Sequence, residues 1–154
     1  MRRAPDAAAS GLVDHGQQGA GTDPATVRRN KMRATIEEMP VEMDVDGIVT
    51  RGIQWNGELV RWLSLPAGVD FTPLYVGLPG DMCQCPHTGY IIDGSVTIRY
   101  ADGTEETNRA GDVYSWPGGH TGWTDEGVTF IEISPAAELQ PVLEHLAAAM
   151  AAPV

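Results

Sequence analysis

From residue 32 onward, apolar and polar residues alternate in short runs, and each run ends at a turn signal. Ile48-Val49-Thr50 and Ile53-Gln54-Trp55 flank Arg51-Gly52. Asn56-Gly57 then offers two successive positions that tolerate positive φ, the pattern of a two-residue hairpin. Leu59, Arg61, Leu63 and Leu65 alternate with Val60, Trp62 and Ser64 until Pro66-Ala67-Gly68. Residues 71–78 read as a further extended segment closed by Pro79-Gly80. Tyr90-Ile91-Ile92 leads into Asp93-Gly94, which reads as a turn, and then Val96, Ile98 and Tyr100 share one face. Asp102-Gly103 turns the chain into 104–108, residues 113–116 follow, Pro117-Gly118-Gly119 interrupts, and 128–133 form the last run. Strands at this spacing predict an antiparallel sandwich or barrel.

The period changes at the end of the chain. Leu139, Val142, Leu143, Leu146 and Met150 recur at helical spacing, which predicts a helix over 135–150. Ser134-Pro135 offers a cap and a first-turn proline, and Pro141 predicts a kink or a later start. His145 reads as an exposed helical residue. Residues 1–31 carry no aromatic side chain and little periodicity, so they are expected to form a disordered tail, with Met32 as a sensible alternative start. The predicted organisation is a tail at 1–31, a β-barrel at 32–134 and a helix at 135–150 packed on it.

Composition narrows the function classes. The chain has 154 residues, 10 basic and 21 acidic side chains, and a formal charge of -11. Five of the bases and only three of the acids precede residue 32, so the acidity lies in the ordered part. Nucleic acid and anionic lipid are disfavoured as partners, because both require clustered basic residues. No run approaches the ~20 apolar residues of a membrane span, and Arg2-Arg3 is not followed by an export-type apolar core. A cytoplasmic protein is expected. Cys83 and Cys85 are too close along a strand to close an unstrained disulfide, so both are expected to be reduced. Glu105-Glu106 and Asp125-Glu126 read as solvated loop acids, and no nucleophile elbow, phosphate loop or dinucleotide fingerprint is present.

The stretch CPHTGYIIDGSVTIRYADGTEE with GDVYSWPGGHTGW resembles the double motif of small single-domain bacterial cupins. Gly94 fits the glycine that ends the first motif, and Gly111, Pro117 and Gly119 fit the second at the family spacing. The resemblance implies an all-β, antiparallel double-stranded β-helix, the jelly-roll or RmlC-like barrel, which commonly pairs into a homodimer. It also implies a barrel pocket for a small-molecule ligand. The metal-ligand positions depart from the family pattern. Asp81, Cys83 and His87 stand where His, His and Glu are usual, and the second-motif histidine position falls on Gly122, with His120 two residues earlier.

Spacing by two would place Asp81, Cys83, Cys85 and His87 on one side of an unbroken strand, although Pro86 introduces a break and a bulge there would reverse the parity. His120 shares the parity of position 122. The candidate metal ligands are therefore His87, His120, Cys83, Cys85 and Asp81. Two imidazoles with a carboxylate suit Fe(II), and a thiolate shifts the preference toward zinc. Tyr90 and Trp116 are candidate pocket-lining residues, and no catalytic residue is singled out. Two readings stand side by side. One is a metal-dependent enzyme of the oxygenase or isomerase class acting on a small organic molecule. The other is a metal-free barrel that binds a small ligand or serves as a sensory or interaction module.

Overall fold

A computed structural model describes residues 31–151. Of the expected tail at 1–31, all but Lys31 lies outside the described residues. Eight strands form the barrel: β1 (Val41–Val45), β2 (Ile48–Trp55), β3 (Glu58–Leu65), β4 (His87–Tyr100), β5 (Glu105–Arg109), β6 (Val113–Trp116), β7 (His120–Trp123) and β8 (Val128–Pro135). One helix, α1 (Ala136–Ala151), follows. Every strand pairing is antiparallel. The first half of β4 lies between β8 and β6, and its second half between β5 and β7, so β4 belongs to both walls of the barrel. The all-β architecture with a C-terminal helix is the one the sequence predicts.

Turn chemistry sets the hairpins. Asn56 and Gly57 take positive φ between β2 and β3, and Asp46 and Gly47 do the same between β1 and β2. Asp93-Gly94 is a correction to the sequence reading. It is a bulge inside β4, where the register with β8 shifts between Ile91 and Asp93. Gly94 takes φ 73° there, and a Cβ at that position would overlap the Gly127 carbonyl oxygen. Residues 71–78 are also corrected: Thr72–Tyr75 is a 3₁₀ helix, not a strand. Its first turn is set by the Asp70 carboxylate, which accepts from the Thr72 N–H at 2.8 Å.

Alternation along the strands separates an inner face from an outer one. Leu63, Leu65, Ile91, Val96, Ile98, Val128 and Phe130 form the barrel core. A second cluster, containing Tyr75, Cys83, Cys85, Leu139 and Val142, lies where α1 packs against the barrel. The helix continues through Pro141 and starts at Ala136, directly after β8, so Ser134 and Pro135 end the strand and do not cap the helix. No helix among the described residues is long and apolar enough to cross a membrane.

Candidate functional site

Two short stretches meet at one end of the barrel. The Cys83 N–H donates to the His120 carbonyl at 2.8 Å, and the Cys83 carbonyl accepts from the Gly119 and His120 N–H groups at 2.7 and 3.2 Å. This double clamp places Cys83 beside the start of β7. Gly118 permits the approach, since a Cβ there would overlap the Gln84 carbonyl oxygen. His87 opens β4 in register with Trp116, so its inward side chain faces the same corner.

The result is a buried group of three donors. The donor atoms of Cys83, His87 and His120 all lie within 4.8 Å of one another. Cys83 Sγ is 3.4 Å from His87 Nε2, and the two imidazole centroids are 5.0 Å apart. Both rings are held from behind. His120 Nδ1 lies 2.6 Å from the Pro117 carbonyl oxygen. A carbonyl can only accept, so Nδ1 carries the proton and the Nε2 lone pair is left free. His87 Nδ1 lies 2.7 Å from Ser134 Oγ and 3.9 Å from a Glu132 carboxylate oxygen. A histidine tied back at Nδ1, with Nε2 turned to a neighbouring donor, is the usual arrangement of a metal-ligating imidazole.

Electrostatics fit the same picture. Burial, reinforced by His87, brings the His120 imidazole down to about 4, so it is neutral and available as a ligand near pH 7. Burial pushes the Cys83 thiol up to about 11. Cys83 would give up that proton on ligating a metal ion, because a coordinating thiol is deprotonated outright. A thiolate and two imidazoles are the donor types that zinc and iron accept, and three protein ligands leave a position open.

Beside the donors runs a chain of charges that starts at the exposed Glu42 and passes through the buried Arg61 to the buried Glu132. Gly52, Arg61, Glu132 and Gly89 are successive cross-strand neighbours on the inner face. Arg61 Nη1 donates to Glu132 at 3.2 Å, and its Nε donates to Glu42 at 2.8 Å. Glu42 is the extra residue at the β1 irregularity between Val41 and Met43, and its carboxylate lies over Gly52 where a Cβ would otherwise sit. Burial alone would raise the Glu132 carboxyl, but His87 and the Arg61 guanidinium hold it below the ordinary carboxylate value. These groups and the three donors line one cavity of about 340 Å³. Its remaining walls are mainly apolar, among them Leu63, Phe71, Trp116, Phe130 and, from α1, Leu146.

The structure does not bring all the sequence candidates together. Asp81 is exposed, and its carboxylate accepts from the Gly77 N–H at 2.8 Å. Cys85 is buried but lies outside the three-donor group, with its sulfur 3.4 Å from the Pro86 carbonyl oxygen. The stretch before β4 is not an unbroken strand, which is why the spacing-by-two rule fails for these two. Trp116 lines the cavity; Tyr90 does not, being 45% exposed. Sequence reasoning missed Glu132. The signal was present in β8, where Val128, Phe130, Glu132 and Ser134 share the buried parity.

No protein-family model matches the chain, and no curated protein matches it by sequence. Solved structures do. An RmlC-like cupin from Shewanella frigidimarina superposes with a TM-score of 0.51 at 16% identity, covering 69% of this chain and 92% of that one. The polyketide cyclase RemF from Streptomyces resistomycificus gives a TM-score of 0.52 at 14% identity, covering 69% of this chain and 80% of that one. The chain has the cupin fold. Identities this low establish the architecture and leave the chemistry to be argued from the residues.

Proposed function

We propose that this cupin binds a divalent metal, zinc or iron, through Cys83, His87 and His120, and acts on a small organic molecule held in the adjoining cavity. The observation that carries this reading is the convergence of the three donor atoms within 4.8 Å, with both imidazoles anchored through Nδ1. A metal bound there supplies Lewis acidity at its open position. The chain's own residues do the rest. Ser134 fixes the His87 ring with the Glu132 carboxylate behind it, the Pro117 carbonyl fixes His120, and the mainly apolar walls receive the organic molecule.

Elemental analysis of protein expressed in metal-supplemented medium tests the reading. The wild type is expected to hold about one equivalent of metal, as a three-ligand site with an open position does. His87→Ala and His120→Ala are expected to lose it, while Asp81→Ala and Cys85→Ser keep it. Less than about a tenth of an equivalent in the wild type would overturn the proposal, since a buried site of this kind binds tightly. That outcome would favour the metal-free reading, in which the direct Cys83–His87 contact at 3.4 Å satisfies both groups without an ion.

We also propose that the chain pairs with a second copy. β1 ends the sheet order, and an edge strand of this kind is a template for pairing. A solution mass by light scattering near 16.5 kDa would overturn the pairing.

A further inference from the structure

We propose that the cavity selects uncharged, largely apolar molecules and rejects anions, and that Glu42 is the residue that sets this selectivity. The inference rests on the reading of the cavity as a small-molecule site. Arg61 is the one lysine or arginine among the described residues lining the cavity. An anionic ligand would look for such a group, because carboxylates and phosphates are recognised by forked guanidinium donors. Here the guanidinium already has two carboxylate partners: Glu42 accepts from Nε at 2.8 Å and Glu132 accepts from Nη1 at 3.2 Å. One cation between two carboxylates leaves a formal charge of -1 on the chain. A divalent ion with the Cys83 thiolate would add +1, so the loaded cavity is neutral overall. A ligand carboxylate at Arg61 would have to compete with Glu42 and Glu132 for a charge that they already offset, and burying it there uncompensated costs several kcal/mol.

Volume and walls define the rest of the ligand. The cavity of about 340 Å³ is roughly twice a ~150 Å³ apolar cavity that accepts benzene. Phe71, Trp116 and Phe130 give it flat aromatic walls. A compact bicyclic aromatic molecule bearing one neutral oxygen matches that space.

Glu42 reaches Arg61 only because position 52 is glycine. A Cβ at Gly52 would overlap the Glu42 carboxylate, whose flexible end can swing away. Gly52 has no positive φ, so alanine is tolerated by the backbone. Glu42→Gln removes the charge in place, and Gly52→Ala displaces the carboxylate. Both variants take the Glu42 charge away from Arg61 Nε by independent routes and leave Glu132 as its one carboxylate partner.

The test uses the full chain as purified, with metal content measured on the same sample, and two isosteric probes: methyl naphthyl ketone and naphthoate with the same ring attachment. Calorimetry on the wild type is expected to give at least about ten-fold tighter binding of the ketone. In Glu42→Gln and in Gly52→Ala, naphthoate is expected to gain about ten-fold, the worth of a charge-assisted hydrogen bond, with the ketone changed less than about two-fold. Equal affinity for both probes in the wild type would overturn the selectivity, as would unchanged naphthoate binding in both variants. Failure of every protein to bind either probe would overturn the small-molecule reading itself, and this inference with it. A preference of about ten-fold for the ketone over naphthoate in a sample that contains no metal would overturn the metal assignment alone and support the selectivity.

Discussion

His120 shows how one residue's burial becomes a property of the molecule. Its imidazole titrates at about 4 when folded, against 6.5 in the unfolded chain. Since the folded value is depressed, the unfolded chain takes up the proton first, and neutral His120 favours folding fully only above 6.5. That contribution drains away as pH falls toward 4. The difference corresponds to about 3 kcal/mol. Glu132 is also depressed, but its contribution is lost only below the ordinary carboxylate value of 4.5. The loss expected from His120 between 6.5 and 4.5 therefore precedes the loss expected from Glu132. Urea unfolding of chelator-treated protein should lose stability steadily across that window, and His120→Gln should flatten the profile. A wild-type profile no steeper than that of the variant would contradict the assignment.

At the scale of elements, β4 carries the fold because it crosses from one wall to the other at Gly94. Two glycines separate the cost of backbone conformation from the cost of contact. Gly103 takes φ 83° with nothing within 4 Å of a Cβ, so Gly103→Ala should cost about 1–2 kcal/mol, that of left-handed backbone alone. Gly94 takes φ 73°, and its Cβ would collide with backbone at Gly127 and Val128, which cannot rotate aside. Gly94→Ala should cost about 3 kcal/mol or more. Chemical denaturation of the pair measures the difference, and equal losses would show that the crossing tolerates a side chain. The same position marks the limit of sequence reading. Asp93-Gly94 has the residues of a turn, and only pairing with β8 on one side and β5 on the other makes it a bulge. Residues 71–78 misled for a related reason: their apolar content packs against α1 and the barrel end as a 3₁₀ turn, a tertiary outcome that local pattern does not carry. The strands with clean alternation, β3 and β6 above all, were legible because half-burial imposes the period. β7 was not, since HTGW is short and wholly or largely buried, without alternation. Within the site, His87, His120 and Cys83 were legible as donors. Glu132 shares the buried parity of Val128 and Phe130, but its partner was not legible, because only the β3–β8 pairing puts Arg61 opposite it.

Across the whole molecule, the three donors come from three separate parts of the chain. Cys83 lies in the connection before β4, His87 opens β4 in one wall, and His120 opens β7 in the other. A metal held by all three would join both walls and the connection that closes the barrel end, so its binding free energy would add to the stability of the entire fold. With free zinc at about a hundred-fold over its dissociation constant, the gain is about 2.7 kcal/mol. For a domain of this size that corresponds to a rise of about 10 °C in thermal midpoint. Zinc ligation by the unfolded chain, which also contains the cysteines and histidines, would reduce the rise, so variants are the sharper comparison. Asp81→Ala and Cys85→Ser should keep the full shift, since neither side chain belongs to the three-donor group. His87→Ala and Cys83→Ser should lose most of it. An equal rise in all four variants would mean that zinc binds elsewhere on this acidic surface, and the three-donor site would have to be abandoned.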